Sequence, residues 1–266
     1  MESLIKVWPR LSKQLTGKRL LLLLDYDGTL TPIREKPEQA VLSVGVKKQL
    51  LRLSRNPNIT LGIVSGRDFN DLKRKVGLKG LIYVSNHGLK IEGKGIKFEV
   101  SPPRAALKTL DRFRLQLARK TQGIAGVLIE KKKFSFALHY RLVRAKELKR
   151  LLSCFCQVFA RYKRCGFVVK TGKKVLEVMP ALDWNKGKAA LHILRHIKMV
   201  CRPQNVVPIY IGDDKTDENA FHALSKAGIT ALVGTSKTSS ARYIIDDTEG
   251  LYTFLRVISI HNATPK

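Results

Sequence analysis

The chain is short of acid. Against 50 Lys and Arg it carries 21 Asp and Glu, a formal net charge of +29 over 266 residues. Other shortages exclude whole classes. No apolar run approaches the roughly 18 residues that span a bilayer, so no membrane-spanning helix is expected. The opening MESLIKVWPRLSKQL lacks a long apolar core and a small-residue cleavage site, and no signal peptide is expected. The four cysteines, Cys154, Cys156, Cys165 and Cys201, follow neither a disulfide framework nor a zinc spacing. They read as ordinary thiols of a cytoplasmic protein. There is no internal repeat, no low-complexity tract and no long basic tail. The positive surplus suits an anionic partner (nucleic acid, membrane surface or small molecule) without choosing among them.

What is present is an alternation of strand-like and helical runs, which predicts an α/β fold on a doubly wound, mainly parallel sheet. A hydrophobic share of 44% fills one large domain or two small ones. Leu20–Leu24 reads as a strand buried on both faces. A helix is expected at Val44–Ser54. Further strands are expected at Ile59–Val64, Leu81–Val84, Val206–Ile211 and Ile229–Val233. Each ends in small or polar residues, among them Ser65-Gly66-Arg67, Ser85-Asn86-His87-Gly88 and Gly212-Asp213-Asp214. That is the edge at which open α/β sheets bind ligands.

Residues 103–182 read differently, as an inserted α+β module flanked by a core of residues 1–102 and 183–266. A helix opens at Ser101-Pro102-Pro103, with Leu107, Leu110, Phe113 and Leu117 on one face. FSFALHYR (134–141) alternates, placing His139 and Arg141 on a polar face. A second helix carries Leu148, Leu151, Leu152, Phe155 and Phe159. Two strands then turn around Thr171-Gly172, so that Lys173 and Glu177 share a face. This insert holds 20 Lys and Arg against 4 Asp and Glu, a surplus of 16.

The apolar run ends in DYDGTL. Asp25 and Asp27 are two apart, so in extended chain both face one cleft. A strand that simply reaches solvent would end the same way. Asp213 and Asp214 end another strand, and an oxygen-only set without a His/Cys cluster suits Mg²⁺ better than zinc. A carboxylate there can attack phosphorus to form an acyl phosphate. A second can protonate the leaving alcohol and later deprotonate water. Ser65 offers a hydroxyl and Lys186 an ammonium for the phosphoryl oxygens.

DYDGTL (25–30), SGR (65–67), NKG (185–187) and GDDKTDE (212–218), in this order, resemble the four signatures of haloacid-dehalogenase-type phosphatases. The resemblance implies Asp25 as nucleophile and Asp27 as general acid/base, with Ser65 and Lys186 on the phosphoryl group. It implies a Mg²⁺ set of Asp25, Asp27 through its main-chain carbonyl, Asp213 and Asp217. SNHGLKIEG, FALHYR, KVLEVMP and GDDKTDENAF extend the likeness, from about residue 20 to 255, to the trehalose-6-phosphate phosphatase family. That implies hydrolysis of trehalose 6-phosphate, the last step of trehalose synthesis, with the insert as a cap that reads the sugar. Glu130, Lys132, Arg141, Lys173 and Glu177 are the implied sugar contacts. Some relatives carry Asn where this chain has Val175. Arg67 either helps bind phosphate or pairs with an acid.

Other phosphosugars, such as sucrose phosphate or mannosyl phosphoglycerate, are the alternative substrates. The alternative of another class is a basic nucleic-acid-binding protein on a retired phosphatase scaffold, supported by the charge alone. A phosphosugar substrate, no dedicated nucleic-acid or membrane partner, weak non-specific polyanion binding and a monomer are expected.

Overall fold

The computed structural model describes residues 1–200, 205–236 and 238–261; Cys201 lies outside them. Cys154, Cys156 and Cys165 are free thiols. The chain divides into two compact units, Met1–Glu99 with Trp184–Lys266, and Val100–Asp183.

The first unit opens with β1 (Glu2–Ser3), α1 (Leu4–Gln14) and β2 (Arg19–Asp25), then α2 (Val44–Ser54), β3 (Ile59–Val64), α3 (Phe69–Val76), β4 (Ile82–Ser85), β5 (Lys90–Gly93) and β6 (Ile96–Glu99). The second unit runs α4 (Arg104–Thr121), β7 (Leu128–Lys131), β8 (Phe136–His139), α5 (Ala145–Tyr162), β9 (Phe167–Gly172) and β10 (Val175–Pro180). The chain returns to the first unit through α6 (Lys186–Val200), β11 (Val206–Gly212), α7 (Glu218–Leu224), β12 (Ile229–Val233), β13 (Tyr243–Ile245) and α8 (Thr248–His261). No helix among the described residues is long and apolar enough to cross a membrane.

The larger sheet has the order β1-β13-β12-β11-β2-β3-β4-β5-β6. It is parallel from β1 to β4, and β5 and β6 add an antiparallel edge. After β2 the chain winds outward through β3 and β4; after the second unit it winds the other way through β11, β12 and β13. The carboxyl end of β2 therefore stands at the point where strand order reverses, the crevice where such sheets take ligands. The leucine run supplies both faces. Leu20, Leu22 and Leu24 pack with α1, α2, α3 and α8. Leu21 and Leu23 face α6 and α7. Full burial of each contributes about 1.5–3 kcal/mol, so this one strand fastens both helical layers.

The smaller sheet, β7-β8-β10-β9, is antiparallel throughout. Phe136, Leu138, Val178 and Phe167 meet Leu110, Phe113 and Leu117 of α4 and Leu151, Phe155 and Val158 of α5. Phe113 stacks on Tyr162 at 4.8 Å and meets Phe136 edge-on at 5.1 Å.

Two expectations for this unit are corrected. β8 ends at His139, so Arg141 lies beyond the strand rather than on its polar face. The hairpin between β9 and β10 turns at Lys173-Lys174, not at Thr171-Gly172. Gly172 pairs with Val175, and Lys174 takes the positive φ of 65° that closes the two-residue loop. Lys173 is thus a turn residue and shares no strand face with Glu177. In the first unit the strand expected at Leu81–Val84 is β4, one residue later.

Phe113→Ala empties the centre of the second unit's core. A loss of about 3–5 kcal/mol is expected, measured by denaturant unfolding. An unchanged midpoint would contradict this packing.

Candidate active site

The site grows from the strand ends. Asp25 closes β2, buried, opposite Val64 of β3. Ser65 follows Val64 directly and is also buried. On the other side Ile211 pairs with Leu24, which carries Asp213 to the same edge. Gly28 makes the turn after Asp27 possible. Its φ is +89°, and any side chain there would collide with the Asp213 carboxylate. The Gly28 amide donates to the Thr31 carbonyl at 2.8 Å, tying the loop.

Lys186 opens α6, fully buried. Its Nζ donates to Asp25 Oδ1 and to Asp217 Oδ1, each at 2.7 Å. Gly187 lets the helix start so close, because a Cβ there would strike the main chain of Asn219. Burial opposes the charge on Lys186, but the carboxylates of Asp217 and Asp25 outweigh it and hold the ammonium well above its ordinary value. Burial also raises Asp25; Lys186 pulls it down, while Asp217, Asp213 and Asp214 push it up again. The Asp25 carboxyl ends well above its usual range. Lys186 engages only one of its oxygens, and Oδ2 has no hydrogen bond among the described residues.

Asp217 is saturated. Its Oδ1 accepts from Lys186 and from Tyr210 Oη, both at 2.7 Å. Its Oδ2 accepts from the amides of Asp213 and Asp214 at 3.2 and 3.1 Å. It therefore fixes the lysine and the Asp213–Asp214 backbone at once. Asp214 is bonded by the Thr216 amide and hydroxyl, each at 2.7 Å. Burial works against its charge, but Lys186 and those two bonds prevail and hold it at about 2.

Arg67 pairs with two acids. Its Nε and Nη2 grip both oxygens of Asp27 at 2.7 and 2.6 Å, Nη1 bonds Asp71 at 2.9 Å, and Nη2 also reaches the Pro37 carbonyl at 2.8 Å. The Asp27 side chain keeps 40% of its surface exposed. Ser65 Oγ accepts the Arg67 amide at 3.1 Å, which leaves its hydroxyl proton to donate.

A divalent cation fits the donors present. Carboxylate oxygens of Asp25, Asp213 and Asp217 lie within 4.8 Å of one another. Lys186 bonds both Asp25 and Asp217, so three carboxylates stand beside one ammonium. All-oxygen donors in acidic excess suit a hard ion.

The second unit is described by itself. β8 lies between β7 and β10, and Ala137 pairs with Glu130 on one side and Glu177 on the other. Glu177 pairs onward with Lys170. Glu177 Oε1 accepts from Lys132 Nζ at 3.0 Å and from Ser135 Oγ at 2.6 Å. Glu130 meets His139 Nε2 at 2.8 Å. Burial raises Glu130, yet His139 and Lys132 hold it below the ordinary range. Arg141 donates to the Lys173 carbonyl at 2.6 Å. Sequence reasoning missed Ser135, Asp71 and Tyr210. Ser135 was readable from the polar side of FSFALHYR. Asp71 stands four residues from Arg67 on α3. Tyr210 is hidden in the apolar run of β11.

Two outcomes follow from this geometry. Lys186→Met leaves Asp25 and Asp217 buried without their cation and is expected to cost about 3–5 kcal/mol of stability in metal-free buffer. A loss under 1 kcal/mol would overturn the bridge. Asp214 lies below its unfolded value, so it stabilises the fold above about pH 4, and that contribution is lost as pH falls towards 2. It amounts to about 2 kcal/mol. Unfolding midpoints of Asp214→Asn should vary less between pH 5 and 3 than those of the wild type; parallel curves would refute the assignment.

Residues 23–249 match the trehalose-phosphatase family profile. The chain is 31% identical over 268 residues to a probable trehalose-phosphate phosphatase D of Arabidopsis thaliana, covering 96% of this chain and 71% of that one. It is 34% identical over 220 residues to a trehalose-phosphate phosphatase of Mycobacterium ulcerans, covering 82% of this chain and 55% of that one. The chain thus spans only about half the length of the mycobacterial relative. Its fold is similar to that of the C-terminal domain of a Candida albicans trehalose-6-phosphate phosphatase, with a TM-score of 0.81 at 24% identity over 94% of this chain and 96% of that one. The chain belongs to the trehalose-phosphatase family.

Proposed function

We propose that the protein is a Mg²⁺-dependent phosphatase that hydrolyses trehalose 6-phosphate to trehalose and phosphate. Family membership supports the substrate. The observation that carries the chemistry is Asp25, buried at the carboxyl end of β2 with one oxygen held by Lys186 and the other free of hydrogen bonds.

On this reading Asp25 Oδ2 attacks phosphorus. The bond from phosphorus to the sugar oxygen breaks, and Asp27 gives that oxygen its proton. Trehalose leaves and Asp25 carries an acyl phosphate. Asp27, now a carboxylate, takes a proton from water, which attacks the same phosphorus and restores Asp25. Arg67 holds both Asp27 oxygens, so one of them must leave the guanidinium for Asp27 to carry the proton that it gives; the same grip steadies the carboxylate between the two transfers. Lys186 and Ser65 hold the phosphoryl oxygens as their charge shifts. Asp25, the Asp27 carbonyl and Asp213 would hold Mg²⁺. Asp217, its oxygens already engaged, supports the site by fixing Lys186. When bound, the ion neutralises phosphate charge and orients the group for in-line attack.

The second unit reads the sugar. Adjacent strands are about 4.8 Å apart, so Glu130 and Glu177 stand roughly 10 Å from each other across the small Ala137. Such carboxylates accept hydrogen bonds from sugar hydroxyls. Lys132 orients Glu177, and Arg141 and Lys173 offer further donors.

Phosphate release is the test, from trehalose 6-phosphate, sucrose 6-phosphate, glucose 6-phosphate and an aryl phosphate, with Mg²⁺ and with a chelator. Trehalose 6-phosphate should be strongly preferred, and chelation should stop turnover. Asp25→Asn should abolish it. Glu130→Ala and Glu177→Ala should impair the disaccharide ester far more than the aryl ester. Equal losses on both esters would refute the sugar-reading role, and turnover by Asp25→Asn would refute the nucleophile.

A further inference from the structure

A cavity of about 490 Å³ opens in the second unit where α4 passes β7 and the β7–β8 connection. That volume falls in the range of small-molecule sites. Its floor is apolar, from Leu107, Leu110 and Phe136. Its walls are cationic. Lys108 and Arg112 stand one turn apart on α4, and Lys131, Lys132 and Lys133 line the cavity from the end of β7 onward. Asp111 is the one carboxylate in the lining, and it is already shared by Arg114 at 2.9 Å and Lys131 at 3.3 Å. Lys108 and Arg112, both exposed, have no acidic partner among the described residues. Like charges at this spacing repel, and an anion in the cavity relieves them.

We propose that this cavity binds a small organic anion carrying several phosphate groups on a ring, of nucleotide size. A lining of ammonium and guanidinium groups suits phosphates through charge-assisted hydrogen bonds. A bare phosphate would leave the apolar floor uncovered, whereas a ring covers it. Binding also has a consequence. Lys132 lines the cavity, and its Nζ pairs with Glu177 at 3.0 Å. An anion that draws Lys132 into the cavity takes it from Glu177. Through this shared lysine, occupancy of the cavity weakens the sugar contact and raises KM. This second step rests on the proposed sugar-reading role of Glu177; the binding step does not.

The probe is ATP, titrated into the full chain by calorimetry in metal-free buffer. Lys108→Gln with Arg112→Gln should weaken binding at least about tenfold, as loss of two charge-assisted contacts implies. Both sites are exposed helix positions where Gln is well tolerated, and an unchanged melting curve confirms the fold. At fixed free Mg²⁺, ATP should raise the KM for trehalose 6-phosphate in the wild type and not in the double variant. Equal affinity for both proteins, or for neither, would overturn the site. Weakened binding in the variant without a KM effect in the wild type would overturn the coupling through Lys132. A variant-sensitive duplex oligonucleotide with no ATP binding would overturn the ligand class. A chain without phosphatase activity would leave the calorimetric result standing, so the two readings fail separately.

Discussion

One buried ammonium holds the first unit's site together. Lys186 lies between Asp25 of β2 and Asp217 before α7, at 2.7 Å from each. Isolated charges at such depth are strongly unfavourable, and removing one partner leaves the others uncompensated. The bridge therefore dictates its surroundings. Gly187 must be small for α6 to begin there, and Asp217 must be capped by Tyr210 and two amides. β2 and β11 must lie side by side so that their acidic ends converge. The same bridge leaves the carboxylates in excess, which favours a cation beside Asp25. It also leaves Asp25 with one oxygen pinned and one available.

Asp27 is held by different means. Arg67 grips it from β3's carboxyl end and is itself anchored by Asp71. Burial opposes charge on Arg67, and Asp27 and Asp71 more than offset this, so the guanidinium is fixed as a cation. The two proposed catalytic carboxylates thus stand two residues apart in different fields. Asp25 is buried against a lysine and among acids, whereas Asp27 is partly exposed against an arginine. In the second unit a comparable economy of charge places two carboxylates across one alanine, each with its own base.

The sequence made the sheet legible where the chain obeys strong local rules. The continuous leucine run and the small or polar residues that close each buried strand pointed to one carboxyl edge, and DYDGTL and GDDKTDE do converge there. Some of the unread elements are too short or too irregular to show a pattern alone. β1 has two residues and β13 three, and α1 contains Pro9. The turn of the β9–β10 hairpin was misread because Gly172 looked like its centre, whereas strand register gave the left-handed position to Lys174. Arg67 stayed undecided because its partners lie forty residues upstream and four downstream in the chain. Only the folded chain brings both to one guanidinium.

The central claim is that Asp25 becomes covalently phosphorylated. The direct measurement uses substrate labelled with radioactive phosphorus, quenched in acid during turnover, with the label mapped by peptide digestion. The account predicts a hydroxylamine-sensitive label on the peptide that contains Asp25, absent from Asp25→Asn. Label on another residue, or full turnover with no labelled protein at any quench time, would contradict it.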